Sequence, residues 1–238
     1  MTAAAGSAGF TTFSSAMGGA TGYHRWLMSA FAPHVGRCVL EVGFGHEGLR
    51  GLLPAGTRYV GLDVDPAVVE AARRRAPGDA FVCGDVGDPG LGERLAGLDV
   101  DTVLCVNVLE HVADDAAAAR GLLRLLPAGG RLIVFVPAFR ALYNDLDRLA
   151  GHLRRYRRAE VRALVPPEGR VLALEYFNPV GGVGWWLNRF LRHHSLERAS
   201  VTGQVRFFDR WVLPASRLLN PLTRSFFGQS VLCVAEHA

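Results

Sequence analysis

The chain has 238 residues; 50% of them are hydrophobic, 20% are charged, and the formal net charge at pH 7 is +4. This length suits one α/β domain with a sizeable core, and the hydrophobic fraction excludes an intrinsically disordered protein. All 26 basic residues are arginine and most are scattered, so the positive charge alone does not indicate a nucleic-acid partner.

The N-terminal segment, residues 1–22, has no charged side chain and therefore lacks the positive region of a signal peptide. It is rich in Ala, Gly, Ser and Thr, and we interpret it as a flexible tail or lid over a ligand. No apolar run approaches the roughly 18 residues that a membrane helix needs. The sequence therefore predicts a cytoplasmic protein that does not contact a membrane.

Residues 23–238 are predicted to form a single domain in which strands and helices alternate, after a first helix over Tyr23–Ala32. Seven short apolar runs are typical of strands covered on both faces: Cys38–Val42, Tyr59–Leu62, Ala80–Cys83, Thr102–Val106, Arg131–Val136, Val171–Tyr176 and Val231–Ala235. Further helices are predicted at Pro66–Ala76, Asp115–Leu126 and Arg158–Val165. This order predicts a Rossmann-like, doubly wound, seven-stranded and mostly parallel α/β sheet.

The segment of residues 178–230 interrupts this alternation. It holds a set of aromatic residues interleaved with arginines: Trp185, Trp186, Phe190, Phe207, Phe208, Trp211, Phe226 and Phe227. We predict a helical and aromatic cap over the ligand edge of the sheet, inserted before the last strand. A hydrophobic surface that joins two copies in a homodimer explains the same composition about as well.

The four cysteines, Cys38, Cys83, Cys105 and Cys233, lie far apart in the sequence, in or beside apolar runs. They lack the spacing of metal ligands, so the sequence predicts buried thiols.

The turn after the first predicted strand reads Glu-Val-Gly-Phe-Gly at residues 41–45. Glycines there let the backbone fold sharply and approach a ligand, and a helix expected to follow offers unpaired N–H groups. The second strand ends in Asp63, 22 residues after Glu41, where a carboxylate can accept hydrogen bonds from both ribose hydroxyls. Asp65 precedes Pro66 and is predicted to cap the next helix, a structural role that Asp63 lacks in the sequence.

Five motifs in order resemble class I S-adenosylmethionine-dependent methyltransferases, from Tyr23 to the end of the chain. They are Glu41-x-Gly43-x-Gly45, the acid Asp63, and the segments Val82–Val86, Cys105–Val112 and Leu126–Leu132. The resemblance implies S-adenosylmethionine as cofactor, with Asp85 on the adenine amine, Val86 on the ring and Asn107 beside the methionine moiety. The cofactor-binding residues expected on this basis are Tyr23, Trp26, Glu41, Gly43, Phe44, Gly45, Asp63, Val64, Asp85, Val86 and Asn107. Taken singly, Asp85 could cap a helix and Asn107 could be a turn residue.

The family usually has a third glycine where this chain has Glu47. A carboxylate at this position either reaches toward the cofactor's ammonium group or points to solvent from the first helical turn. The sequence leaves both interpretations open.

The fold predicted here places a second ligand over the carboxyl ends of the strands. The catalytic candidates are His111, Tyr143, Asn144, His152 and Tyr176, and the substrate-contacting candidates are Phe139, Arg155, Tyr156 and Asn178. The element Gly-His-Leu-Arg-Arg-Tyr at residues 151–156 resembles one bacterial subgroup of small-molecule methyltransferases.

Each of these functional roles has a structural alternative. His111 or His152 is either a general base or a structural hydrogen-bonding group. Arg155 either holds an acidic substrate or forms a surface salt bridge, and Tyr176 either faces the sulfonium or packs in the core. No metal site is predicted.

The sequence thus predicts an enzyme, a methyltransferase for O- or N-methylation of a small molecule in specialised metabolism. A second hypothesis is a cyclase that converts S-adenosylmethionine into azetidine-2-carboxylate and methylthioadenosine. A third is a cofactor-binding subunit without catalysis. The chain has no Asn/Asp-Pro-Pro-Tyr or -Phe tetrapeptide after the fourth strand, which argues against DNA as substrate.

Overall fold

The computed structural model describes residues 21–46, 48–188 and 207–238. These residues contain seven strands: β1 (Cys38–Val42), β2 (Arg58–Asp63), β3 (Ala80–Cys83), β4 (Thr102–Val106), β5 (Arg131–Pro137), β6 (Gly169–Phe177) and β7 (Ser230–His237). They form one sheet in the order β3-β2-β1-β4-β5-β7-β6, in which only β7 runs antiparallel to its neighbours. This arrangement confirms the Rossmann-like, mostly parallel sheet and all seven predicted strands.

The helices in the same ranges are α1 (Thr21–Phe31), α2 (Pro66–Arg75), α3 (Leu91–Leu95), α4 (Asp115–Arg124), α5 (Asp145–Ala150), α6 (Arg158–Leu164), α7 (Pro179–Asn188) and α8 (Leu213–Thr223). Local caps explain several of their starts. The Asp65 carboxylate accepts the Ala67 N–H at 2.8 Å and Pro66 occupies the first turn of α2, which confirms Asp65 as an N-cap. Asn144 caps α5, which ends at Gly151 in the left-handed conformation.

Both faces of the sheet are covered, because successive side chains of a strand point to opposite faces. In β1, Leu40 and Val42 pack into the core cluster that α3, α4 and α6 complete. Val39 points the other way, into the cluster completed by α1 and the start of α8. Helix α2 covers β2 and β3 through a third, smaller cluster around Tyr59 and Phe81. The strands therefore read as nearly continuous apolar runs, as predicted.

The prediction of a helix directly after the glycine turn is wrong for residues 48–57, where the structure has a single 3-10 turn, Arg50–Leu52. Gly48 adopts a positive φ of 41°, which a right-handed helix does not accommodate. Leu53 is extended, as expected for a residue that precedes proline. The loop therefore lacks the helix N-terminus that was expected to face a ligand.

The segment of residues 178–230 is described in part, as α7, a π-helical turn at Phe208–Val212, and α8. The exposed apolar side chains of its described residues include Trp186, Phe207, Trp211 and Phe226. Phe190 lies outside the described residues, as do Glu47 and residues 1–20 of the predicted tail. The cap and the homodimer stay predictions.

Cys38, Cys105 and Cys233 are buried and Cys83 is half-buried, and all four are free thiols. The prediction of buried thiols is thus confirmed for three of the four.

Among the helices of residues 21–46, 48–188 and 207–238, none combines the length and the apolar character needed to cross a membrane.

Candidate functional site

Three strands of the sheet end in unusual backbone conformations. Asn107 follows β4, Phe139 lies two residues after β5, and Asn178 follows β6, with φ values of 52°, 58° and 64°. Non-glycine residues rarely adopt positive φ, and such strain is concentrated at functional sites. Because all three strands run in the same direction, these residues lie along one edge of the sheet, the carboxyl edge. This edge is the candidate site.

The glycine turn after β1 lies at the same edge. Gly43 and Gly45 both have positive φ, 67° and 58°. A Cβ on Gly43 would lie 2.6 Å from the Val108 Cγ2 atom, so only glycine lets this turn approach the loop after β4. The Gly43 N–H donates to the Leu62 carbonyl oxygen at 2.7 Å, which holds the turn against β2.

Asp63, at the end of β2, is buried and joins the glycine turn to the start of α2. Its Oδ2 atom accepts the Gly45 N–H at 2.9 Å and its Oδ1 atom accepts the Asp65 N–H at 3.0 Å. Asp63 therefore has a structural role that the sequence did not reveal. A carboxylate has about four acceptor positions, so these two bonds leave capacity for ligand hydroxyls.

Glu41 is a buried carboxylate at the end of β1. It accepts hydrogen bonds from the Tyr59 hydroxyl at 2.7 Å and from the Leu49 N–H at 2.9 Å. Burial raises the pKa of Glu41 to about 7, against these hydrogen bonds and with a smaller contribution from the charge of Asp63. Tyr59 is a site residue that sequence reasoning missed, since no local pattern connects it to Glu41. Phe44, in the turn, packs against Phe81.

The adenine-side candidates follow β2 and β3, which are neighbours in the sheet. Val64 and Asp85 are exposed, whereas Val86 is buried. The Asp85 carboxylate accepts the Gly87 N–H at 2.8 Å, a turn-forming contact that leaves it accessible. The Gly84 N–H donates to the Asp63 carbonyl oxygen, which holds the two strand ends together.

Two of the expected cofactor residues, Tyr23 and Trp26, make core contacts. Both are buried in α1, and the Trp26 ring lies 4.0 Å from the Phe177 ring, centroid to centroid. Burial raises the pKa of Tyr23 against hydrogen bonds with Ser230 and Asn178. These contacts give no support for cofactor binding, and a helix that packs on the sheet explains them.

The acceptor-side candidates meet in one cluster after β4 and α5. Glu110 and His111 end the 3-10 turn Leu109–His111, and His152 follows α5. Glu110, His111 and His152 each offer a ligand atom, and these three atoms lie within 4.8 Å of one another. Sequence reasoning selected the two histidines but gave no role to Glu110. The adjacency of Glu110 and His111 in one short turn was the available signal.

The buried carboxylate of Asp147 orients His152 within this cluster. It is 0% exposed and accepts hydrogen bonds from His152 Nδ1 at 2.7 Å, Arg155 Nε at 2.9 Å and the Asn144 N–H at 3.0 Å. Burial acts to raise the pKa of Asp147, but the hydrogen bond from His152 and the charge of Arg155 outweigh it and lower the pKa. Arg155 is only 2% exposed, so the alternative of a surface salt bridge is wrong. Asp147 was also missed by sequence reasoning.

Glu110 is 0% exposed, and neither of its carboxylate oxygens has a hydrogen-bond partner among the described residues. Its Oε1 atom lies 3.9 Å from His152 Nε2. Burial raises the pKa of Glu110 to about 7, against the charge of His152. Burial also lowers the pKa of His111 to about 4, and the neighbouring His152 adds to this effect. His111 is therefore neutral near pH 7, with Nδ1 donating to the Gly151 carbonyl oxygen at 3.2 Å.

Of the remaining candidate site residues, some line a cleft and others have only structural contacts. A cleft of about 640 Å³ is lined in part by Tyr143, Arg155 and Tyr156. The Tyr143 hydroxyl donates to the His152 carbonyl oxygen at 2.8 Å, and the Tyr156 hydroxyl donates to Asp115 at 2.8 Å. Tyr176 is buried and its ring stacks on Phe139 at 4.6 Å, which favours the alternative of core packing.

Asn144 and Asn178 have structural partners that account for their side chains. Asn144 caps α5 and donates to the Trp185 carbonyl oxygen at 3.3 Å. The buried Asn178 side chain bonds to Ser216, Gly181 and Gln229, so its polar atoms are used within the protein. Neither contact set supports a catalytic or substrate-binding role.

Residues 40–134 match a family described as a methyltransferase domain. This segment is therefore similar to methyltransferase domains. The matched residues contain the glycine turn, Asp63, Asp85, Glu110 and His111, whereas Asp147, His152 and Arg155 lie beyond them.

Part of the chain is also similar to an uncharacterized methyltransferase of Mycobacterium tuberculosis. The two are 32% identical over 117 residues, which cover 46% of this chain and 42% of the relative. The similarity thus spans less than half the length of this curated relative.

Solved structures share the fold of about nine tenths of the chain. An S-adenosylmethionine-dependent methyltransferase from Archaeoglobus fulgidus has a TM-score of 0.56 and 15% identity, over 89% of this chain and 92% of that one. Geranyl diphosphate methyltransferase in complex with S-adenosylmethionine has a TM-score of 0.57 and 14% identity, over 90% of this chain and 85% of that one. At this identity the likeness concerns the fold alone.

Proposed function

We propose that this chain is an S-adenosylmethionine-dependent methyltransferase that transfers the methyl group to an oxygen or nitrogen atom of a small molecule. The observation that carries the proposal is the buried Asp63 carboxylate, bonded to the N–H of Gly45 at the tip of the glycine turn. This pair lies at the carboxyl edge of the sheet, where the ligands of doubly wound folds bind. The methyltransferase-domain match over residues 40–134 supports it independently.

In the proposed complex, the ribose hydroxyls donate to Asp63 and the adenine amine donates to the exposed Asp85. Gly43 and Gly45 allow the backbone to approach the methionine part of the cofactor, which lies near Asn107. Support for this order comes from the sheet, in which β3, β2, β1 and β4 are consecutive and end at one edge. The cofactor thus spans four strand ends.

Methyl transfer requires an acceptor aligned behind the methyl group, exclusion of water and, for some acceptors, removal of a proton. The cluster of Glu110, His111 and His152 follows β4, next to the proposed position of the methionine moiety. His152 is oriented by its hydrogen bond to the buried Asp147, which sets its tautomer. The acceptor is therefore expected to bind between this cluster and the cofactor.

The cofactor part of the proposal is tested by S-adenosylhomocysteine titration calorimetry on the wild type, Asp63→Asn and Asp65→Asn. Hydrogen bonds to a charged group contribute roughly 1.5–3 kcal/mol, so Asp63→Asn is expected to weaken binding by about 10- to 100-fold. Asp65→Asn is the matched control, because asparagine caps a helix as well as aspartate does. Equal affinities for all three proteins would contradict the proposed site.

The reaction part is tested by incubating the wild type with S-adenosylmethionine alone and following the adenosyl products by mass spectrometry. A methyltransferase that lacks its acceptor leaves the cofactor intact, and a panel of small phenols, amines and acids then yields S-adenosylhomocysteine. Release of methylthioadenosine above the spontaneous background would overturn the proposal in favour of the cyclase. Binding without any turnover across the panel would favour a non-catalytic subunit.

A further inference from the structure

The proposed reaction does not explain why the Glu110 carboxylate is buried. Its side chain is fully buried, and both carboxylate oxygens lack a hydrogen-bond partner within the described part of the chain. A buried polar group without a partner is destabilising, and native proteins rarely retain one without a reason. Two histidines, His111 and His152, offer ligand atoms within 4.8 Å of this carboxylate.

We propose that Glu110, His111 and His152 bind one divalent transition-metal ion, through a Glu110 oxygen and the Nε2 atom of each histidine. Imidazole ligands favour zinc, iron, nickel and copper, and two histidines with one carboxylate form a recurrent donor set for zinc and non-haem iron. The ion supplies the partner that the Glu110 oxygens lack.

The hydrogen bonds around the histidines orient both rings for this role. His152 Nδ1 donates to Asp147 at 2.7 Å, and His111 Nδ1 lies 3.2 Å from the Gly151 carbonyl oxygen that accepts its hydrogen. With both protons on Nδ1, the lone pair of each ring lies on Nε2. Metal-binding histidines typically donate their second nitrogen to a carboxylate or a backbone carbonyl in this way.

The distances allow a shared ion after a small contraction of the cluster. Two ligand atoms that each lie about 2.0–2.1 Å from a tetrahedral zinc ion are about 3.3–3.4 Å apart. The Glu110 Oε1 and His152 Nε2 atoms are separated by 3.9 Å. All three ligand atoms lie within 4.8 Å of one another, so binding requires the ligand atoms to approach each other by roughly 0.5–1.5 Å.

Arg155 helps to fix the position of His152 before any ion binds. Its guanidinium is buried and donates to Asp147 at 2.9 Å and to the Ala138 carbonyl oxygen at 3.0 Å. Asp147 is thereby held in place to orient His152, and its own charge is balanced by Arg155. Glu110 has no hydrogen-bonded cation of this kind among the described residues, and its Oε1 atom lies 3.9 Å from His152 Nε2.

Three protein ligands leave coordination positions open for an exogenous ligand. An acceptor oxygen bound there would be polarised and would lose its proton more easily. This consequence rests on the proposed methyl transfer, whereas the metal site itself does not.

The test uses the untagged full chain, stripped with a chelator and titrated with Co²⁺ alone by visible absorption and calorimetry. We expect one Co²⁺ per chain with ligand-field bands in the wild type. Glu110→Gln and His152→Gln are expected to weaken binding at least about 100-fold, beyond the roughly 10- to 100-fold effect of outer-shell partners. His34→Gln is the matched control, because His34 precedes β1 at the opposite edge of the sheet.

Thermal unfolding provides a second readout. Removing an unpartnered buried charge is expected to leave metal-free Glu110→Gln at least as stable as the metal-free wild type. Co²⁺ is expected to raise the Tm of the wild type and of His34→Gln, but not that of Glu110→Gln or His152→Gln. Absence of Co²⁺ binding by the wild type, or wild-type affinity in both ligand variants, would overturn the proposal. S-adenosylhomocysteine affinity, measured on the same proteins, separates this outcome from a failure of the proposed cofactor site.

Discussion

Glu41 and Asp147 are both buried carboxylates at the carboxyl edge of the sheet, yet their pKa values shift in opposite directions. Asp147 contacts Arg155 and His152, whose positive charges stabilise its ionised form. The donors to Glu41 are the neutral Tyr59 hydroxyl and Leu49 N–H, and burial then dominates. A nearby cation, more than the number of hydrogen bonds, decides the direction of the shift.

This difference predicts a pH dependence of stability for Glu41. Its pKa is raised from 4.5 to about 7 on folding, so the unfolded chain binds fewer protons between these values. Stability is therefore fully present below about pH 4.5 and decreases as the pH rises toward 7, by roughly 3 kcal/mol for this group. Relative to the wild type, Glu41→Gln is expected to gain stability over this window, as measured by urea unfolding of the ligand-free protein at pH 5 and pH 8.

Glu70→Gln serves as the control for this measurement. Glu70 lies on the exposed side of α2 and pairs with Arg73 there, so its substitution is expected to leave the pH profile parallel to that of the wild type. A constant difference between wild type and Glu41→Gln from pH 5 to pH 8 would show that Glu41 titrates normally.

At the scale of elements, α1 is capped from a distant part of the chain. The Asp209 carboxylate, in the π-helical turn before α8, accepts the N–H groups of Gly22 at 2.7 Å and Tyr23 at 2.9 Å. An acidic side chain at a helix N-terminus satisfies free N–H groups and interacts favourably with the helix dipole. This contact joins the start of α1 to the segment of residues 178–230.

Asp209→Ala is therefore expected to destabilise the protein by about 1–2 kcal/mol, the usual effect of removing an N-cap. Asp209→Asn retains an acceptor oxygen and is expected to lose well under half of that. Urea unfolding at neutral pH measures both, and proteolysis between α1 and β1 reports whether the helix detaches. Equal stabilities for the wild type and Asp209→Ala would show that the cap contributes nothing.

At the scale of the whole molecule, Asn178 connects four elements. It follows β6, and its backbone N–H donates to Asn220 of α8 at 2.9 Å. Its side chain accepts from Ser216 of α8 at 2.7 Å and from Gly181 of α7 at 3.1 Å, and it donates to Gln229 before β7 at 2.7 Å. Asn178 is thus one of the residues that join the described parts of residues 178–230 to the sheet.

Asn178→Ala is expected to destabilise the protein by about 2–4 kcal/mol, because buried partners lose their hydrogen bonds and alanine is strained at a φ of 64°. Asn178→Gly loses the same hydrogen bonds without that strain, so it is expected to retain about 1 kcal/mol more stability. The unfolding free energies of the three proteins measure the two effects separately. A glycine variant less stable than the alanine variant would contradict the role of strain.

The elements of the fold were predictable from the sequence because their signals are local. Each strand is a short apolar run, and Asp65-Pro66 marks the start of α2 within two residues. The helix expected after the glycine turn was wrong because Gly48 and Pro54 disfavour it, which an isolated glycine motif does not convey. Asp63 was predicted as a cofactor residue from its position at a strand end and Asp85 from the family resemblance, and both roles stay predictions.

The sequence by itself determined the Rossmann-like sheet, since alternating apolar strands and helices can bury both faces in few other ways. It also placed Asp63 at the carboxyl edge of the sheet. Only the tertiary structure decided that Glu110 meets His152, 42 residues later, and that Arg155 is buried with Asp147. Spacing along the chain does not encode such pairs, because they depend on how the loops after β4 and α5 fold onto each other. For the same reason the burial of Tyr23, Trp26 and Asn178 was not predicted from the sequence.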